Sequence, residues 1–250
     1  AQEQRVLLRR EQLGPRDDGS TNRRSLALQY NAAGEAAGLP RSLFIKAAMS
    51  ISNRISAGAT GTMLTECEFY NHIRPLLDIE APVARHAAND PVSCRAIMLL
   101  EDLVATRGAT FLDPVDYIDR ARAESVVDLL ADFHGRFLGR ADEFSALPTW
   151  EQMIAAIAKI AMIGRYTRVG LAAAEDVVPA SLTRRINDVW PATQRAFELG
   201  RGNARTLTHN DVHIKNWYLT RDGATGLADW QCTARGPLTR DLAYSIAAML

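Results

Sequence analysis

The sequence predicts an α+β fold in which strands come first and helices follow, and three observations carry that reading. Residues 1–50 hold short β-patterned runs divided by Gly- and Pro-bearing breaks, and 94–103 is another such run. From Asp113 onward, apolar residues recur at helical spacing. Late in the chain, 217–220 and 225–228 flank Asp222-Gly223, the dipeptide of a tight hairpin turn. Strands segregated from helices argue against a doubly wound sheet.

Composition narrows the partners. With 250 residues the chain can bury a sizeable core as one large domain or two small lobes. Its 29 basic and 29 acidic residues cancel, so no global field draws it to nucleic acid. No apolar run reaches membrane-spanning length; the longest, 153–164, is interrupted by Lys159. Cys67, Cys94 and Cys232 are widely spaced and form no C-x-x-C, which fits free thiols in a cytoplasmic protein. The chain begins with Ala and stops inside an apolar segment, 242–250, so it is expected to be a fragment of a longer one.

Taken in order, 5–12 and 24–30 read as strands around the turn-rich loop 13–22, which contains Gly14, Gly19 and Ser20. Glycines allow close backbone approach, so Gly19 and Ser20 could lie over phosphates; a plain hairpin turn is the alternative, since no G-K-[ST] ending follows. After the Gly38-Leu39-Pro40 break, 42–49 is a short apolar strand carrying Lys46. An unpaired ammonium there would be costly. The helix expected over 62–76 offers a partner, with Thr62 and Thr65 as capping candidates. Glu66 lies three, four and seven residues before Phe69, Tyr70 and Ile73 and so shares the inward face, whereas Glu68 aligns with Asn71 and His72 on a solvated one. Lys46–Glu66 is therefore expected to be the strand–helix ion pair that steadies nucleotide phosphates in kinases.

Further helices are expected over 116–138, over 149–164 (apolar nearly all round, so buried) and from Pro179 to about Leu199. His134, inside the first of these, reads as a structural histidine without metal-ligand partners. The hairpin follows. A two-residue type I′ turn at Asp222-Gly223 would set Thr220 opposite Thr225, Trp217 opposite Ala228, and Asn216 opposite Asp229. A carboxylate and an amide oxygen meeting there would suit one small hard cation. Upstream stands His209-Asn210-Asp211, giving H-x-D-x-x-x-x-N with Asn216, the spacing of a phosphotransferase catalytic loop.

That loop, together with Asp229-Trp230-Gln231 and Arg235-Gly236 followed by Arg240-Asp241-Leu242-Ala243-Tyr244, resembles the aminoglycoside phosphotransferase and choline/ecdysteroid-kinase-like superfamily. The pattern departs from protein kinases at His213, where they carry Lys, and at Trp230-Gln231, where they carry Phe-Gly. Asn210 stands where many relatives have Gly. The resemblance implies a protein-kinase-like fold: a small strand-rich lobe over 1–103, and a larger helical lobe over 104–250 that is expected to be truncated in this chain. It implies that the backbone of Glu101 and Leu103 meets the adenine of ATP, that Asn216 and Asp229 hold Mg²⁺, and that Asp211 takes the proton of an acceptor hydroxyl. His209 braces the loop beside Asp211, and His213 or Lys215 approaches the transferring phosphate. Asp241 anchors the loop backbone. The expected activity is ATP- and Mg²⁺-dependent phosphorylation of a small-molecule alcohol. A nucleotide-binding protein without turnover and a metal-dependent phosphoester hydrolase are the rivals. Antibiotic acceptors are a minor variant: acidic and basic residues balance over 113–205, and Trp150, Tyr166 and Trp190 suit a flatter alcohol.

Overall fold

The computed structural model describes residues 8–14, 17–18 and 21–249, so Gly19 and Ser20 lie outside the described residues. The first part of the chain builds one antiparallel sheet: β1 (Leu8–Leu13), β2 (Asp17–Asp18), β3 (Asn22–Tyr30), β4 (Ser42–Ala47), β5 (Ala84–Asp90) and β6 (Arg95–Glu101). Their order is β1-β3-β4-β6-β5, with β2 beside β3. Lys46 on the central β4 stands directly opposite Arg23 on β3 and Met98 on β6, which places the three side chains on one face.

Three short helices attach to this sheet: α1 (Ala32–Ala36), α2 (Ile51–Thr60) and α3 (Thr62–Glu68). The Ser50 hydroxyl accepts from the Asn53 N–H to start α2, and Gly61 ends it at φ 71°. Gly61 is also the first cap of α3, with no side-chain bond, so neither Thr62 nor Thr65 serves as a cap. The helix expected over 62–76 is one continuous rod of three geometries. After α3 come a π turn at Phe69–Ile73 and a 3₁₀ turn at Arg74–Leu76. The inward face is as predicted: Glu66, Phe69, Tyr70 and Ile73 are all buried.

The remainder is mainly helical: α4 (Leu103–Arg107), β7 (Thr110–Phe111), α5 (Arg120–Phe137), α6 (Trp150–Ile160), α7 (Ile163–Ala173), α8 (Ala180–Thr183) and α9 (Val189–Gly200) precede β8 (Arg205–Thr208). Then come β9 (Trp217–Leu219), β10 (Thr225–Leu227), β11 (Ala234–Pro237) and α10 (Thr239–Met249). Thr149 and Gln152 close a capping box on α6. That helix is half-exposed rather than buried: only Trp150 and Met153 are fully covered. It also stops early, because Met162 takes φ 46° and separates α7. None of the described helices is long and apolar enough to cross a membrane.

The hairpin differs from expectation by one residue. Thr225 pairs with Leu219 and Leu227 with Trp217, and the Ala228 N–H donates to the Asn216 carbonyl. Ala228, not Asp229, is therefore opposite Asn216. The cause is the turn. Gly223 N–H donates to Thr220 O and Thr220 N–H to Ala224 O, with Gly223 alone in the left-handed region at φ 88°. This is a three-residue loop, a type I turn closed by a left-handed glycine, and its extra residue slides the register.

The largest apolar cluster among the described residues runs from Ala48 to Trp230 and joins sheet to helices. Trp230 lies at its centre, stacked on Phe69 with centroids 4.0 Å apart and edge-on to Phe133 at 4.9 Å. Phe69 follows Glu66 by three residues and Trp230 follows Asp229 directly, so this packing ties the two carboxylate positions together.

Candidate active site

A cavity of about 310 Å³ lies between sheet and helical part, lined by Lys46, Glu66, Glu101, Leu103, Asn216 and Asp229 among others. Lys46 Nζ is 3.0 and 2.7 Å from the two Glu66 oxygens and 2.6 Å from Asp229 Oδ1. β4 supplies the lysine, α3 the glutamate and the bend after β10 the aspartate, so one ammonium binds three segments. Burial opposes the charge on Lys46, but Glu66 and Asp229 outweigh it and hold its pKa above the ordinary value. Burial pushes Glu66 up to about 7 despite the pull of Lys46. Asp229 is also desolvated, yet Lys46 keeps its carboxyl below the usual range.

The loop between β8 and β9 is fixed by polar groups of Asp241, Cys232 and Ala228 together with its own. Asp241, fully buried at the start of α10, accepts from the backbone N–H of His209 at 2.6 Å and of Asn210 at 2.7 Å, and meets His134 Nε2 at 3.0 Å. Burial disfavours this carboxylate, but the imidazole of His134 and the loop N–H groups hold its pKa down. Asn210 sits at φ 66°, and its amide donates to Thr208 O, Thr208 Oγ1 and Cys232 O. A glycine would tolerate that backbone but could not make those bonds. Its spacing in the motif gives no hint of this welding role.

His209 is also a structural brace. It is completely buried; its Nδ1 accepts from the Asp211 N–H at 3.2 Å and its Nε2 meets Ala228 O at 3.0 Å. Both of its nitrogens are engaged by backbone groups, which holds the ring against the loop. Burial lowers its pKa. The Asp211 side chain is 26% exposed, and its Oδ1 lies 3.7 Å from His213 Nε2. Asn216 Nδ2 donates to Asp211 O at 2.7 Å, which leaves Oδ1 as the lone-pair end of that amide.

At the other end of the cavity, the Glu101 N–H already donates to Val83 O. Its carbonyl, rather than its N–H, is the group that could meet a base. Its carboxylate is held by Arg107 at 2.7 Å and Thr106 at 2.8 Å. Leu103 opens α4 one residue after its Asp102 cap, where a backbone N–H has no partner within the helix. Two further lining residues escape any motif. Arg23 stands beside Lys46 on the neighbouring strand, and the Tyr70 hydroxyl is buried with no hydrogen-bond partner among the described residues. Only the inward spacing of Tyr70 after Glu66 could have indicated it.

Asn216 and Asp229 fit a hard divalent ion by donor type, an amide oxygen and a carboxylate on one cavity wall. Among the described residues, no group of three His, Cys, Asp or Glu side chains could hold a metal by itself. Phosphate oxygens of a nucleotide would have to complete such a shell.

The model of the phosphotransferase enzyme family (APH) matches residues 52–249. Among solved structures, the chain is similar to the aminoglycoside phosphotransferase APH(3'')-Id from Streptomyces rimosus, solved with ADP and streptomycin: TM-score 0.54, 14% identity, 90% of this chain and 76% of that one. It is also similar to APH(2'')-IIia, solved with GDP and kanamycin, at TM-score 0.55 and 12% identity over 97% and 72% of the two chains. LicA, solved with AMP, follows at TM-score 0.50, 16% identity and 97% and 70% coverage. At these identities the structures show the fold. No curated protein sequence matches.

Proposed function

Because the chain belongs to the phosphotransferase enzyme family, we propose that it transfers the terminal phosphoryl group of Mg²⁺-ATP to a hydroxyl of a small molecule. The observation that carries this reading is the Lys46 ammonium, held at once by Glu66 and Asp229 on the wall of a nucleotide-sized cavity. A hydrolase that used only Asp211, Asn216 and Asp229 would have no need of the Lys46–Glu66 pair.

In this reading the adenine meets the Glu101 carbonyl and Leu103 N–H, and Lys46 steadies the phosphates. Asn216 and Asp229 would hold Mg²⁺, which when bound neutralises phosphate charge. The chain's own work is positioning. His209 and Asp241 fix the loop so that the Asp211 carboxylate presents one geometry to the acceptor hydroxyl and takes its proton. His213 stands beside it and approaches the transferring group. ADP complexes and GDP complexes both occur among the similar structures, which supports a nucleotide in this cavity.

The test is ADP release from Mg²⁺-ATP with a panel of small alcohols, for the wild type and Asp211→Asn. Turnover that needs an acceptor, and that falls about 10²–10⁴-fold in the variant, is expected for a positioned base. Turnover unchanged in Asp211→Asn, or phosphoester hydrolysis without nucleotide, contradicts the proposal.

A further inference from the structure

We propose that Arg240 binds a negatively charged group on the acceptor, so that the substrate is an alcohol carrying a carboxylate or phosphate. This rests on the phosphotransferase reading of the Asp211 loop. Arg240 is the second residue of α10, next to Asp241, whose carboxylate is bonded to the loop one and two residues before Asp211. Its guanidinium lies over two rings at once, 4.8 Å from the centroid of Trp150 and 4.7 Å from that of Tyr244. Rings on two helices fix the plane of the group and leave its edge for an in-plane acceptor, the geometry in which arginine reads carboxylates and phosphates.

No such acceptor is present within the described chain. Arg240 Nε is buried without a hydrogen-bond partner, although the residue as a whole is partly exposed. The adjacent carboxylate, Asp241, is committed to His209, Asn210 and His134. Asp211 lies within electrostatic reach of both Arg240 and Tyr244, and its close contact is with His213 instead. A cation with unused donors whose charge is felt at Asp211 would offset the repulsion that an anionic acceptor meets there. It is the wrong sign for a polycationic one. Trp150, one of the two rings that hold the guanidinium, belongs to a buried apolar cluster with Met153 and Ala234 that keeps it in place.

The experiment measures binding and phosphorylation of three matched probes, a long-chain ω-hydroxycarboxylate, its methyl ester and the corresponding ω-hydroxyalkyl phosphate. It uses the wild type, Arg240→Gln and Arg240→Lys with Mg²⁺-ATP, while the thermal shift given by Mg²⁺-ATP alone is recorded for each protein. The expected result is a preference of about tenfold or more for a charged probe over the ester. Arg240→Gln loses it, Arg240→Lys restores part of it, and the nucleotide shift is the same in all three proteins. Which charged probe wins identifies carboxylate or phosphate. An ester bound as well as the acids, no binding of any probe, or a preference that survives Arg240→Gln overturns the proposal. A wild type without a nucleotide shift would instead bring down the phosphotransferase reading, and this one with it.

Discussion

At the scale of single residues, the site is a set of charges whose mutual support can be measured. Lys46 bonds two carboxylates, whereas Glu66 is already pushed up to about 7 by burial despite Lys46. Glu66→Gln leaves the Lys46–Asp229 contact in place and should cost about 1 kcal/mol. Lys46→Met removes the ammonium bonded to both Glu66 and Asp229 and should cost about 3 kcal/mol. Denaturant unfolding at neutral pH checks the order, and equal or reversed costs would contradict it. His209 makes a second prediction, with a sign. Burial lowers its folded pKa from 6.5, so its contribution is complete above that pH and is lost as pH falls toward the folded value. Glu66 runs the other way: its folded value of about 7 lies above 4.5, so its contribution is lost as pH rises through about 7. Only the difference between wild type and His209→Gln isolates the histidine. That gap should shrink from pH 8 to pH 5.5, by no more than about 1.4 kcal/mol per pH unit; a constant gap would contradict a neutral buried ring.

At the scale of elements, legibility followed how local the determining physics is. The inward face of the rod over 62–76 was readable because Glu66, Phe69, Tyr70 and Ile73 repeat at helical spacing, and they are all buried. The loop motif was readable because its spacing is itself the signal. β5 was not: Ala84-Arg-His-Ala-Ala-Asn-Asp has little β propensity and forms by pairing with β6, across a bulge between Ala84 and His86. α2 was missed for a similar reason, since Ile51–Thr60 is short in apolar residues and buries only Ala57. The hairpin register failed by one residue because Asp222-Gly223 serves either a two-residue turn or a three-residue one, and strand pairing decides between them. Gly223 holds φ 88° with nothing within 4 Å of an added Cβ, so any penalty there is purely backbone strain. Gly223→Ala should cost about 1 kcal/mol and Gly223→Asn less, because Asn tolerates the left-handed region. Thermal unfolding of the two variants checks this, and an Asn variant no better than Ala would contradict it.

At the scale of the whole molecule, one apolar cluster spans sheet and helices, with Trp230 stacked on Phe69 and edge-on to Phe133. The two halves should therefore unfold together, and near- and far-UV circular dichroism should report one transition; two separated transitions would contradict a shared core. The same packing keeps Lys46, Glu66 and Asp229 on one cavity wall although they come from distant parts of the chain. The central claim is that this wall is a Mg²⁺-nucleotide site, and the most direct measurement is the ATP-induced thermal shift, titrated with Mg²⁺ for wild type and Asp229→Asn. A ligand that binds only the native state at a hundred times its Kd stabilises by about 2.7 kcal/mol. The account predicts a wild-type shift that grows with Mg²⁺ and is lost in Asp229→Asn. A shift that is indifferent to Mg²⁺, or one that persists in Asp229→Asn, would contradict it.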